Sequence, residues 1–246
     1  MTGPGRTRPE VLAHTRFVAR KAELEGLPTE ELFTRIWRSN LWGAETSASG
    51  LGSEDAATAT LRLELPKLLR RFQIETLLDL PCGDFGWMSR TELGLQKYLG
   101  GDIVAELVAE NARRYARVDA RISFAHLDLL NDPLPAMDAI LCRDCLVHLS
   151  FANISRALAQ FRASGSRFLI ATTFTEHHAN EDATDGDWRM LNLTAAPFHL
   201  PQPLALLNEG CTEGGGDYAD KSLGVWSLAG LRWGGVGSHA ALPAGR

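Results

Sequence analysis

The chain has 246 residues, 45% hydrophobic and 22% charged, which suits one large globular domain or one domain with an appendage. Its net charge of −5 weighs against a nucleic-acid partner, and no apolar stretch is long enough to span a bilayer. The opening MTGPGRTRPE is not a secretory signal, and Cys82, Cys142, Cys145 and Cys211 fit reduced thiols better than a disulfide framework, so a soluble cytoplasmic protein is expected.

Residues 1–10 are rich in Gly, Pro and Arg and read as a disordered N-terminus. Apolar residues at helical spacing predict a helix from Pro9 to Glu25. A second is expected after Pro28, with Thr29 as its cap, to about Ser39. Residues 40–53, NLWGAETSASGLGS, hold too much Gly and Ser for a helix and read as a lid loop around Trp42. A third helix, Glu54–Arg71, presents Ala57, Leu61, Leu65, Leu68 and Leu69 on one face. The pattern then changes. Strands are predicted at Ile74–Leu80, Lys97–Ile103, Ser123–Leu127, Ala139–Cys142 and Arg167–Phe174, with helices at Ala105–Tyr115 and Phe151–Arg162. Such alternation predicts an α/β fold with a doubly wound, mostly parallel sheet. Leu204–Glu209 and Leu223–Leu228 predict an antiparallel hairpin at its edge. The organisation expected is N-terminal helices and lid loop over 11–71, an α/β domain over 72–230, and a flexible tail over 231–246.

Ligands of doubly wound sheets bind outside the carboxyl ends of the strands. The run LLDLPCGDFGW, residues 77–87, ends an apolar strand on Asp79 and turns through Pro81, Cys82 and Gly83. Asp102 and Asp128 close the next two strands, so three successive strands end in an acid. Acids so aligned beside a glycine turn point to a single polar crevice. The GxGxxG spacing of dinucleotide-binding proteins is absent. Cys142 and Cys145 form a lone CxxC with no second pair, and His177-His178 lies in a loop with Glu176 and Asp182 nearby; no metal is expected at either.

The segments DLPCGDFGW, GGDIV, HLDLL and CRDCLVHL jointly resemble class I S-adenosylmethionine-dependent methyltransferases, especially a bacterial group marked by a PCGD turn and an RDCLVHL segment. The likeness also takes in WGAETSASGLGS and WRMLNLTAAPFHLPQPL, roughly residues 40–228. The resemblance implies a Rossmann-like methyltransferase fold with a seven-stranded sheet and S-adenosylmethionine as cofactor. It implies that Asp79, Cys82, Gly83 and Asp84 wrap the methionine part, and that Asp102, with Ile103 beside it, binds both ribose hydroxyls. It implies Asp128 at the adenine amino group with Leu129 packing nearby, Cys142–Asp144 beside the sulfonium and substrate, and Trp42 in the covering loop. Pro81 and Phe85 stand where the wider family often has glycines, so the turn must be shaped differently.

Methyl transfer needs an aligned nucleophile and, for a hydroxyl acceptor, a base. His148, just past the fourth strand, is the base expected, with Arg143 and Asp144 as further catalytic candidates. Neighbours on an extended segment point opposite ways, so these two need not pair with each other. Trp188 and Arg189, in the long stretch 179–203, are expected to clamp the acceptor, and His177 to face the same crevice. Asp220-Lys221 reads as an ordinary surface pair. The expected function is O-methylation of a small molecule or glycan, with no nucleic-acid or membrane partner; nothing in the residues sets an oligomeric state. An RNA or protein methyltransferase, a non-catalytic cofactor-binding relative and a nicotinamide-dependent oxidoreductase are the alternatives.

Overall fold

The computed structural model describes residues 8–234. The strands are β1 (Thr76–Asp79), β2 (Lys97–Asp102), β3 (Ile122–His126), β4 (Ala139–Cys142), β5 (Phe168–Phe174), β6 (Ala205–Asn208) and β7 (Lys221–Ser227). They form one seven-stranded sheet in the order β3-β2-β1-β4-β5-β7-β6. Only β7 runs against the rest, antiparallel to both β5 and β6. The predicted edge hairpin therefore exists, with β7 tucked inside and β6 at the border.

Strands covered on both faces read as unbroken apolar runs, which is how Leu77-Leu78 and Ala139–Cys142 read. Because strand side chains alternate, Leu77, Leu141 and Ile170 face one helical layer while Leu78, Ile140 and Leu169 face the other. On the first side lies α4 (Ala59–Arg71), burying Leu61, Leu65, Leu68 and Leu69. On the second lies α6 (Phe151–Ala163), burying Ile154, Ala157, Leu158 and Phe161. Each such fully buried leucine, isoleucine or phenylalanine contributes about 1.5–3 kcal/mol. β2 carries Gly101 because a Cβ there would lie 2.9 Å from both Leu80 Cδ1 and Leu127 Cδ1. Between β2 and β3 runs α5 (Ala105–Tyr115).

The N-terminal part holds α1 (Leu12–Ala19), α2 (Lys21–Leu24) and α3 (Thr29–Arg38), with a small core of Phe17, Leu24, Leu32, Ile36 and Leu41. It differs from expectation in three places. The helix predicted from Pro9 to Glu25 breaks at Arg20, which sits at φ −116° and ψ 12°. Pro28, at φ −54° and ψ 144°, takes the cap position, so Thr29 is the first helical residue and caps nothing. The third helix starts at Ala59, because Glu54 is committed to the loop: its Oε1 accepts from the backbone N–H groups of Glu45 and Thr46 at 2.7 and 3.3 Å.

Arg8 donates to Asp220 Oδ1 at 2.5 Å, and Leu231 is buried in the main core, so residues at both ends of the described chain are anchored. Residues 1–7 and 235–246 of those two segments lie outside the described residues. Among the described residues no helix is long and apolar enough to cross a membrane.

Candidate functional site

A cleft of about 1000 Å³ opens where β1, β2 and β3 end, and Asp79, Asp102 and Asp128 all line it. The turn after β1 is fastened by backbone geometry. Cys82 N–H donates to Gly101 O at 2.8 Å, Gly83 N–H to Asp102 Oδ2 at 3.1 Å, and Asn111 Nδ2 to Gly83 O at 2.7 Å. Gly83 has φ +55°, and a Cβ there would sit 2.2 Å from Ser49 Oγ, so only glycine fits. The departure from the glycine-rich pattern is accommodated at Phe85, which adopts φ +56° and packs its ring 5.0–5.1 Å from those of Tyr98, Tyr115 and Phe124. That packing offsets the cost of a left-handed residue.

Asp102 is buried; its Oδ1 accepts from Val104 N–H at 3.0 Å. Burial pushes it up to about 6, against the hydrogen bonds from Val104 and Gly83. Asp79 is also buried, accepts from Tyr98 Oη at 2.5 Å, and is pushed up to about 7 by burial. Tyr98 and Arg143 oppose that rise and Asp102 adds to it. Asp128 lies two residues past the end of β3; its oxygens accept from Leu130 N–H at 2.8 Å and Asn131 Nδ2 at 2.6 Å. Cys82, Gly83, Ile103, Leu129 and Trp42 line the same cleft. Asp84 does not. Its Oδ2 accepts from Ser47 Oγ at 2.8 Å and Ala48 N–H at 2.9 Å, and its Oδ1 from Gly86 N–H at 3.0 Å, so it ties the 40–53 loop to the turn. Cys142 is not in the lining either: as the last residue of β4 it points into the core, and Cys145 faces the cleft in its place.

Beyond β4 the chain bends at Asp144, which has φ +50°. The bend removes the extended geometry that would part neighbouring side chains, and Asp144 Oδ2 lies 3.3 Å from Arg143 Nη2. Lys221 Nζ reaches the same oxygen at 2.6 Å. Arg143 donates to Glu209 Oε2 through Nη2 at 2.7 Å and Nε at 3.2 Å, to Gly52 O at 2.7 Å, and stacks 5.6 Å from the Trp87 ring. Burial would raise Asp144, but Arg143 and Lys221 outweigh it and hold the carboxyl well below its usual range. Burial would lower Lys221 too, and Asp144 and Glu209 reverse that. Asp220-Lys221 is thus no surface pair. Both residues are buried, and β-strand alternation sends them to different partners, Arg8 and Asp144.

His148 lines the cleft, with Nδ1 2.8 Å from Asp187 O. A carbonyl only accepts, so Nδ1 carries the proton and Nε2 a lone pair. The ring lies 4.9 Å from that of Trp42, tilted by 34°. Burial pushes His148 down to about 4, so the imidazole is neutral at physiological pH.

A second cavity of about 630 Å³ shares Trp42, Ser49, Asp144 and His148 with the cleft, and Trp188 lines it. Arg189 does not. Its guanidinium donates to Leu146 O at 2.9 Å and to Leu149 O, so it braces the segment that carries His148. His177 lines neither space; its carbonyl accepts from Asn192 Nδ2 at 2.8 Å, which turns the loop aside. Sequence reasoning missed Glu209 and Lys221, which lie 66 and 77 positions from their partners. It also missed Phe33 and Trp37 of α3, which line the cleft although their helix carried no site signal.

No protein-family model and no curated protein matches the chain. Solved structures do. Human N-acetylserotonin methyltransferase, in complex with S-adenosylmethionine, matches at 16% identity and TM-score 0.54, over 91% of this chain and 67% of that one. Magnesium protoporphyrin IX methyltransferase from Synechocystis PCC 6803, with bound S-adenosylmethionine, matches at 12% identity and TM-score 0.53, over 82% of this chain and 98% of that one. The fold is that of the class I methyltransferases. It is Rossmann-like, mostly parallel, and closed by the antiparallel β7. The [4+2]-cyclase SpnF shares it at 18% identity and TM-score 0.51, over 71% of this chain and 75% of that one, so the class I methyltransferase fold alone does not name a reaction. The chain spans 65% of the methyltransferase domain of bacterial CtHen1.

Proposed function

We propose that the protein is an S-adenosylmethionine-dependent methyltransferase that methylates a hydroxyl of a small molecule or glycan. One observation carries this reading: the acids at or just past the ends of three successive strands line one cleft whose wall also holds a neutral His148. The residues suit the cofactor. Gly83 lets the turn pack closely under Ser49 of the loop, and the buried carboxyls of Asp79 and Asp102 line the cleft beside it. The two methyltransferase structures bound to S-adenosylmethionine share the fold, which supports the same reading.

In this reading Asp102 accepts from the ribose hydroxyls, Asp79 takes the ammonium of the methionine part, and Asp128 with Leu129 holds the adenine end. Trp42, in the loop that Asp84 fastens down, covers the site. S-adenosylmethionine supplies a methyl group on a sulfonium, with the carbon–sulfur electron pair remaining on sulfur as the methyl leaves. His148 Nε2 takes the acceptor's hydroxyl proton. Asp187, through its carbonyl, holds the tautomer that leaves Nε2 free to do so. Arg143, Asp144 and Lys221 form the neighbouring wall and keep its charge balanced. Four free thiols accord with a cytoplasmic setting.

Calorimetry of the full chain with S-adenosylhomocysteine, followed by transfer of labelled methyl to a panel of hydroxylated acceptors, tests the proposal. Saturable binding with one-to-one stoichiometry and label recovered in a methyl ether are expected. Absence of binding at millimolar ligand would sink it; binding without turnover on a broad panel would favour a non-catalytic relative.

A further inference from the structure

The second cavity has a chemistry of its own. Three rings form one wall: Phe174, Trp188 and Tyr218 pack with centroids 5.5–6.2 Å apart at 78–90° to one another. Edge-to-face packing of this kind is rigid and suits a flat apolar guest. The neighbouring wall is shared with the cleft and includes Trp42 and His148. Val11 and Ala13 complete the lining. They belong to an N-terminal segment pinned by Arg8 on Asp220, by Tyr218 Oη donating to Pro9 O, and by His14 Nδ1 2.7 Å from Asp187 Oδ1.

Its charges do not cancel. Arg143 and Lys221 are matched by Asp144 and Glu209, and Arg8 by Asp220. His148 is neutral, and the Cys211 thiol and Tyr218 phenol are pushed up by burial and stay protonated. Glu213 is left over. It lines the cavity, is half-buried and makes no ion pair among the described residues. Burial raises its carboxyl, and Lys221, which would offset that, is already held by Asp144 at 2.6 Å. A cation entering here finds an unmatched carboxylate beside aromatic faces, both of which favour it. Among the described residues lining the cavity, a carboxylate or phosphate finds no cation that is not already paired.

We infer that this cavity is the acceptor chamber and that it takes a small aromatic molecule bearing an ammonium group, which Glu213 holds, along with the hydroxyl presented to His148. The inference rests on the methyltransferase reading for the role of the hydroxyl; the preference for a cationic aromatic guest rests on the cavity alone.

The test compares three probes of one shape on the full chain by calorimetry, with and without saturating S-adenosylhomocysteine: tyramine, 4-ethylphenol and 3-(4-hydroxyphenyl)propionate. Tyramine should bind about tenfold tighter than 4-ethylphenol, the size of one charge-assisted contact, and the propionate weakest of all. Glu213→Gln, at the half-buried first residue of the short helix Glu213–Gly216, should erase the difference between tyramine and 4-ethylphenol and leave S-adenosylhomocysteine affinity unchanged. Equal or tighter binding of the propionate overturns the inference, as does failure of all three probes or persistence of the tyramine preference in Glu213→Gln. If S-adenosylhomocysteine does not bind yet the ammonium preference appears, the methyltransferase reading falls and the assignment of the cavity stands.

Discussion

The two sides of the site are built by different means. On the β1–β3 side, contacts join close neighbours: Asp102 holds Val104 two residues on and Gly83 nineteen back. On the β4–β7 side, Arg143 reaches Glu209 across 66 positions and Gly52 across 91, and Asp144 reaches Lys221 across 77. The first side is a strand-and-turn device that folds largely from local sequence. The second exists only when β5, β7 and the lid loop are already in place. A substitution on the first side should therefore weaken a ligand, whereas one on the second should weaken the fold.

Glu209→Ala puts that contrast to its hardest test. It leaves Arg143 and Lys221 sharing one carboxylate in a buried site, so unfolding in urea should show a loss of about 3–5 kcal/mol. A loss below about 1 kcal/mol would mean that the network is solvated and the contrast false. Next in size comes His148→Gln, expected to slow methyl transfer about a hundredfold or more while S-adenosylhomocysteine binds as before. Full activity would demote His148 to a packing role. Asp102→Ala should cost about 1.5–3 kcal/mol of cofactor affinity by calorimetry. Retained affinity would remove Asp102 from the ligand.

Acidification is gentler. Asp79 sits at about 7, and a cationic group on the ligand favours its ionised form. Affinity should therefore be full above that value and fall as pH drops through it, approaching about tenfold per unit on the acid side. Asp79→Asn should flatten the profile; a profile that stays as steep would point to another group. Smallest of all, Asp84→Ala releases the lid loop from the turn and should weaken S-adenosylhomocysteine by about 1 kcal/mol, through faster dissociation in stopped-flow.

The same contrast governs how much was legible from the residues. The strands and the cleft acids could be read because apolar runs, glycine turns and strand-end carboxylates are local patterns, whereas the order of the strands in the sheet could not. Asp84 and Cys142 are expected at the site from the family resemblance; whether a side chain turns to the cleft, the lid or the core depends on neighbours that a linear pattern does not carry. The pairing of Arg143 with Asp144 stayed one of two options because the residues alone do not show that the backbone turns left-handed there, a conformation that aspartate tolerates better than most residues. Lys221 looked like surface because no local pattern announces a lysine whose partners sit on other strands. Arg189 looked like a clamp because a guanidinium beside a tryptophan fits a ligand as well as it fits a set of backbone carbonyls.

The segment from Arg8 to Ala13 walls one side of the second cavity and is held there by three contacts: Arg8 on Asp220, Tyr218 Oη on Pro9 O, and His14 on Asp187. A guest in that cavity can reach solvent through the cleft with which it shares Trp42 and His148, or past this segment once its contacts part. Because the Arg8–Asp220 pair is largely buried, added potassium chloride should leave this wall in place and weaken only the binding of a charged guest.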